Sequence, residues 1–213
     1  MELFTLNDFK IFDIPGFSER MAAILTRIRP KLTSIGEELA PRVSEFIDTP
    51  LYVHVAKHAR RTVNPPDDTW AALGRDARGY KKDAHFKVAI SRHCVRFLFE
   101  VGPEYYAKRD WADGWHREFK DIAGLLKGNK DLDWFKGEHD EEPAAHVLDF
   151  ATADLKKLGD DLTRRKDAQL VFGRRVAAAE FVSLKPKQVE KAALDTFKPL
   201  AALFQIHEAR VLA

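Results

Sequence analysis

The first forty residues repeat their apolar side chains at a helical period. Met21, Ile24, Leu25 and Ile28 fall at i, i+3, i+4 and i+7 and make one stripe, with Ser18 placed as an N-cap. Pro30 has no amide to donate and crowds the preceding turn, so an interruption or kink is expected there. Leu32, Ile35 and Leu39 then carry an apolar face to Pro41. From Pro50 the period drops to two: Leu51, Val53 and Val55 alternate with Tyr52, His54 and Ala56, the pattern of a strand. Asn64-Pro65-Pro66-Asp67-Asp68 predicts a rigid turn, because proline fixes φ and drives its predecessor toward extended geometry. Residues 69–73 read as a short second strand, and Gly79 marks another turn. Residues 86–90 and 94–99 predict an antiparallel hairpin around Ser91-Arg92-His93.

Beyond Gly102-Pro103 the helical period returns, with Trp111, Trp115, Phe119, Ile122, Leu125 and Leu126 on one face. Residues 134–135 suggest a short strand, and 143–162 a helix with Leu148, Ala151, Leu155, Leu158 and Leu162 in register. Residues 169–173 suggest a strand that ends in a turn at Gly173-Arg174-Arg175. The stretch 186–213 reads as a helix with Val189, Phe197, Leu200 and Phe204 on its apolar side. Strands in the middle flanked by helices predict an α+β class: a central antiparallel or mixed β-sheet covered by helices, in a single domain over residues 1–213. The apolar faces of the helices at 111–126 and 189–204 could also pack a homodimer, although such stripes usually belong to a core.

Composition adds limits. With 213 residues, 45% hydrophobic and 32% charged, the chain can bury a core without disulfides or metals. The one cysteine, Cys94, excludes an internal disulfide framework and fits a reducing compartment, and its apolar neighbours make it a core thiol. No apolar run approaches the roughly 18–20 residues that span a bilayer. The acidic amino terminus has no secretory h-region, so a cytoplasmic protein without membrane association is expected. A net charge of +2 implies no polyanionic partner for the chain as a whole, so any such case must be local.

Lys57-His-Ala-Arg-Arg-Thr-Val-Asn-Pro-Pro-Asp-Asp-Thr-Trp70, followed by Arg78-Gly-Tyr-Lys-Lys82 and His85-Phe86, resembles the YktB-like family of bacterial proteins, whose function is unknown. Phe9, Phe12, residues 20–28, Arg29-Pro30-Lys31 and Ile35-Gly36 fit the same pattern. The similarity covers nearly the whole chain, densest over residues 50–90 and looser after Pro103. It implies a helix-decorated α+β domain in the bacterial cytoplasm, and it carries over no catalytic residue.

The same segment concentrates charge. Between Lys57 and His85 seven lysines and arginines face four aspartates, a surplus larger than that of the whole chain. Arginine forks and lysine point charges suit phosphate or carboxylate, and aromatic rings among them can stack on a base. The expected ligand is therefore anionic and phosphate-bearing, a nucleic acid or nucleotide. Lys57, Arg60, Arg61, Arg78, Lys81 and Lys82 would hold phosphates, Trp70 or Tyr80 would stack, and Asn64 would add a polar contact. The alternatives are an enzyme on a small phosphorylated or carboxylated substrate, with His58 or His85 as base, and a structural or interaction element whose charges form a solvated rim.

No metal is expected. His54 and His58 on a strand would lie ~13 Å apart, too far for one ion. Glu138-His139-Asp140-Glu141-Glu142 holds potential ligands but reads as an exposed loop. The phosphate-loop, dinucleotide, nucleophile-elbow and His-Glu-x-x-His signatures are absent, and no cofactor is implied.

Overall fold

A computed structural model describes residues 1–59 and 61–206 of the chain. The first helices are α1 (Leu6–Phe9), α2 (Phe17–Ala23) and α3 (Arg29–Ile47), and α2 reaches α3 without a break through a π-helical turn, Ile24–Ile28. Pro30 therefore does not interrupt the helix. The wider turn before it removes the clash that a proline ring makes with a regular preceding turn. Its extra residue also splits the expected stripe: Ile24 and Ile28 are fully buried, whereas Leu25 is 44% exposed. The N-cap is Gly16, two residues before the expected Ser18, and α3 continues past Pro41 to Ile47.

The strands follow: β1 (Tyr52–Val55), β2 (Asp68–Gly74), β3 (His85–Ser91) and β4 (Cys94–Val101). The expected single helix at 111–126 is two, α4 (Lys108–Arg117) and α5 (Phe119–Lys127). Next come β5 (Asp133–Phe135) and β6 (Ala145–His146). Residues 143–151 thus carry no α-helix, only a 3-10 turn at Val147–Asp149: Ala144 donates to the Trp134 carbonyl and Val147 to that of Leu132, so sheet pairing takes the backbone that the apolar period assigned to a helix. The helix begins only with α6 (Thr152–Arg164). Strand β7 (Leu170–Ala177) runs straight through Gly173-Arg174-Arg175, which is not a turn. The chain then forms α7 (Ala178–Phe181) and α8 (Pro186–Phe204), and the expected continuation over 207–213 lies outside the described residues.

Among the described residues seven strands form one sheet in the order β1-β2-β3-β4-β7-β5-β6, with every neighbouring pair antiparallel. The class is α+β, and the sheet is antiparallel rather than mixed. Alternation gives it two faces. Phe86, Val88, Phe97, Phe99 and Phe172 point into the main core, which includes Leu32, Ile35 and Leu39 of α3 and Phe197 and Leu200 of α8. The Phe86 ring stacks at 5.6 Å on that of Phe204. Trp111, Trp115, Ile122, Leu126, Val189 and Phe197 of the two apolar stripes are buried in this same core, while Leu125 is 45% exposed.

On the opposite face alternate positions are polar: Asp68 and Trp70 on β2, His85 and Lys87 on β3, Arg96 and Glu100 on β4, and Arg175 on β7. Strands β3 and β4 are nonetheless buried along their whole length. This second face is covered by connections rather than by a helix layer.

Candidate functional site

Charges buried in a sheet must find partners, and here they do so in two linked groups. The Lys87 ammonium lies 2.7 Å from Glu100 and also contacts Glu138. Burial alone would lower the Lys87 pKa, but the two carboxylates raise it well above the ordinary lysine value. Burial likewise opposes ionisation of Glu100, and Lys87 with His85 overcomes it, holding that carboxyl below the usual range. In the second group Arg96, 0% exposed, pairs with Asp68 at 2.7 Å, and His139 Nδ1 lies 3.0 Å from the same carboxylate. The Asp68 carboxyl is pushed up by burial and drawn down further by His139 and Arg96, so it ends below its normal value. The hydrogen bond to Asp68 raises His139.

Glu138 and His139 belong to the β5–β6 connection, which straps across this face. Arg96 donates to the carbonyls of Glu138 at 2.9 Å and Asp140 at 2.7 Å. His93 meets Glu141 at 2.7 Å, and Arg175 meets Glu142 at 2.7 Å. The acidic run read as an exposed loop keeps His139, Asp140 and Glu142 exposed, and basic groups from β3, β4, the turn between them and β7 hold it in place. Among the described residues no three His, Cys, Asp or Glu side chains converge as metal ligands.

Beside the strap, at the β1–β2 end of the sheet, lies an open cleft of about 970 Å³. Residues 54–59 and 61 form one wall, residues 76 and 78–83 the other, and Trp70 and Glu104 also line it. Seven of the residues expected to bind the ligand meet here, Lys57, Arg61, Trp70, Arg78, Tyr80, Lys81 and Lys82, together with the candidate base His58. Five cations face three carboxylates, Asp76, Asp83 and Glu104. Arg78 is 4.0 Å from Asp76, and Lys81 3.5 Å from Glu104. Lys57, Arg61 and Lys82 have no ion-pair partner among the described residues. Asn64 is exposed in its turn and does not line the cleft, and Arg60 lies outside the described residues. Arg75 is turned away, over the Phe204 ring and 3.7 Å from Asp83.

The two aromatic rings are already occupied. Trp70 Nε1 donates to the Tyr80 hydroxyl at 2.7 Å, and the Lys87 ammonium lies 4.8 Å from the indole centroid. His58 and His139 each approach that indole at 5.4 Å. Tyr80 sits between His54 at 5.6 Å and His85 at 4.7 Å.

The histidine candidates differ. His58 lines the cleft with a left-handed backbone (φ 49°) and its Nε2 3.0 Å from the Thr69 hydroxyl. Burial lowers its pKa, and the attraction of Asp68 does not reverse this, so the ring is neutral near pH 7. His85 is 1% exposed, with Nδ1 3.0 Å from the Asp83 carbonyl and Nε2 3.2 Å from Glu100. Of the two nitrogens only Nδ1 makes a hydrogen bond, and the ring is buried outside the lining of the cleft. Lys87, Arg96 and Glu100 escaped the sequence reading. Their signal was present, since charges at alternate positions inside apolar strands must share one face.

A model of a family described as a domain of unknown function, DUF1054, matches residues 4–204. A UPF0637 protein of Oceanobacillus iheyensis is 34% identical over 206 residues, 97% of each chain. One from Bacillus mycoides is 33% identical over 97% of this chain and 98% of its own, and one from Macrococcus caseolyticus 33% identical over 94% and 97%. These matches bear out the resemblance to the YktB-like family along nearly the whole chain. Among the described residues no helix is long and apolar enough to cross a membrane.

Proposed function

The chain belongs to the DUF1054 family, whose relatives are named UPF0637 proteins, and from that premise we propose that it binds an anionic, phosphate-bearing ligand, a nucleic acid or nucleotide. One observation carries this reading: two segments about twenty residues apart bring Lys57, Arg61, Arg78, Lys81 and Lys82 to a single cleft. Three of these cations are left without an ion pair among the described residues, so an incoming anion need not displace an existing partner. A clustered positive field in a concave site raises both local ligand concentration and on-rate. The test is affinity against salt for a single-stranded oligonucleotide: log affinity should fall with log salt by about 0.7 per phosphate neutralised. A flat dependence, or full affinity in Arg61→Ala with Lys82→Ala, would refute it.

His58 supports a second reading, catalysis on a bound phosphate ester. It is a neutral imidazole on the cleft wall, held at a backbone angle uncommon for a residue other than glycine. That reading requires turnover of a bound nucleotide, followed by phosphorus NMR, which His58→Gln abolishes without changing Kd. Binding without turnover would leave the binding module alone.

A further inference from the structure

The proposal above leaves open what part of the ligand other than phosphate is recognised, and the rings expected to do so are not available. Trp70 has Lys87, His58 and His139 against it, and its indole nitrogen is bound to Tyr80. Tyr80 is held between His54 and His85. Both rings line the cleft, but each is already crowded by neighbours with which a stacking base would compete.

Residues next to the cleft lining offer the opposite. Of the large hydrophobic side chains described as exposed, the two most exposed are Val63 at 75% and Tyr106 at 70%. Both adjoin cleft residues. Val63 follows Arg61 by two positions, and the Tyr106 amide donates to the Lys82 carbonyl at 3.3 Å. Tyr106 is not a loose side chain on a loop tip. Its backbone is tied to the cleft wall, and its ring lies 5.6 Å from that of Tyr105, which is 4% exposed and part of the core. The two rings are tilted by 57° to each other, and the Tyr106 side chain is left largely open to solvent. A tyrosine, with only two side-chain torsions to order, offers stacking area at small entropic cost.

We propose that Tyr106 is the stacking platform of the cleft, so that the ligand carries a nucleobase on Tyr106 and its phosphates at Lys82, Lys57 and Arg61. The proposal rests on the anionic-ligand reading and specifies it. It moves the stacking role from Trp70 and Tyr80, which become the rigid floor, to a residue outside the 57–86 segment.

The experiment is calorimetric titration at low salt with ATP, with tripolyphosphate, which keeps the phosphate chain and lacks the base, and with a single-stranded deoxythymidine decamer. Base–aromatic stacking predicts that ATP binds about 5- to 10-fold tighter than tripolyphosphate. Tyr106→Ala should erase that margin and leave tripolyphosphate unchanged, while Tyr106→Phe preserves it. Lys57→Ala with Lys82→Ala should weaken both probes. A decamer that binds tighter than ATP, and loses affinity in Tyr106→Ala, identifies a nucleic acid as the source of the base. ATP binding tighter than the decamer identifies a free nucleotide. Equal binding of ATP and tripolyphosphate, or an equal loss of both in Tyr106→Ala, overturns the stacking proposal and leaves the anion site standing. Failure of all three probes to bind overturns both.

Discussion

Lys87→Met removes the centre of the buried ionic face and tests whether that face is built on charge. The Lys87 and Glu100 side chains are 1% and 3% exposed and 2.7 Å apart, so water does little to screen them. At an effective dielectric constant of about 20, the attraction at that distance is ~6 kcal/mol. Methionine keeps the length and apolar stem of lysine but leaves Glu100 with only His85, 3.2 Å away, as a positive or donor partner. Stranding a buried charge costs about 3–5 kcal/mol, and His85 places the expected loss near the lower end, about 3 kcal/mol at pH 7. The pH dependence has a definite sign. In the native protein the depressed Glu100 carboxyl contributes stability that is present above the unfolded glutamate value of about 4.3 and is lost as pH falls through the lower folded value. Without Lys87, burial lifts the carboxyl above the unfolded value. The folded variant then binds a proton more readily than the unfolded chain, and its deficit shrinks as pH falls from 7 toward 5. Adding Glu100→Gln to the same protein removes the stranded charge and should restore more than half of the loss. Urea unfolding followed by tryptophan fluorescence at pH 7 and pH 5 measures each quantity. A loss under 1 kcal/mol at pH 7, or a double variant no more stable than Lys87→Met, would refute the reasoning.

Three further outcomes follow from other parts of the structure. The Asp68 carboxylate raises His139, so the imidazole should titrate above 6.5 by NMR and fall back in Asp68→Asn. The same shift makes the His139 contribution full below pH 6.5 and lost as pH rises through the higher folded value, while the depressed Asp68 loses its share only under acid. Cys94 is 0% exposed and burial raises its thiol, so a thiol reagent at pH 8 should label it only once denaturant is added; rapid native labelling would contradict that burial. A Cβ on Gly173 would sit 2.1 Å from the Phe97 carbonyl oxygen, so Gly173→Ala should cost about 1–3 kcal/mol in urea unfolding, and an unchanged midpoint would mean that β4 and β7 are not packed so closely.

The parts of this fold readable from the sequence are those in which one local signal decides. Alternation in residues 51–56 and the paired apolar runs around Ser91-Arg92-His93 place β1, β3 and β4 to within a residue or two. Where a non-local partner decides, periodicity misleads. Leu148, Ala151 and Leu155 fit a helix, yet backbone bonds to residues 132 and 134 hold 145–146 in a strand and delay the α-helix to Thr152. Arg174 and Arg175 resemble a polar turn, but Asp131 and Glu142 partner them from outside the strand, and β7 continues. The candidate site divides in the same way. The charge surplus of residues 57–85 was visible as composition, and most of its members do converge. That Arg75 turns to Phe204, that Trp70 and Tyr80 are enclosed and that Tyr106 reaches Lys82 all depend on contacts between separate segments.

The strap across the polar face also bears on how long the folded molecule persists. Its contacts to β2, β3, β4 and the turn between the last two join residues 42 to 71 positions apart, from Arg96–Glu138 to Asp68–His139, and each needs the β2–β3–β4 ladder to exist first. Until the connection closes, Lys87 and Arg96 remain hydrated, and their dehydration is expected late, after the folding barrier has been crossed. Interactions made only after the barrier slow unfolding and leave the folding rate nearly unchanged. The strap would then set the lifetime of the native state, and weakening it at Glu138 or His139 should speed unfolding in a stopped-flow experiment with little effect on refolding.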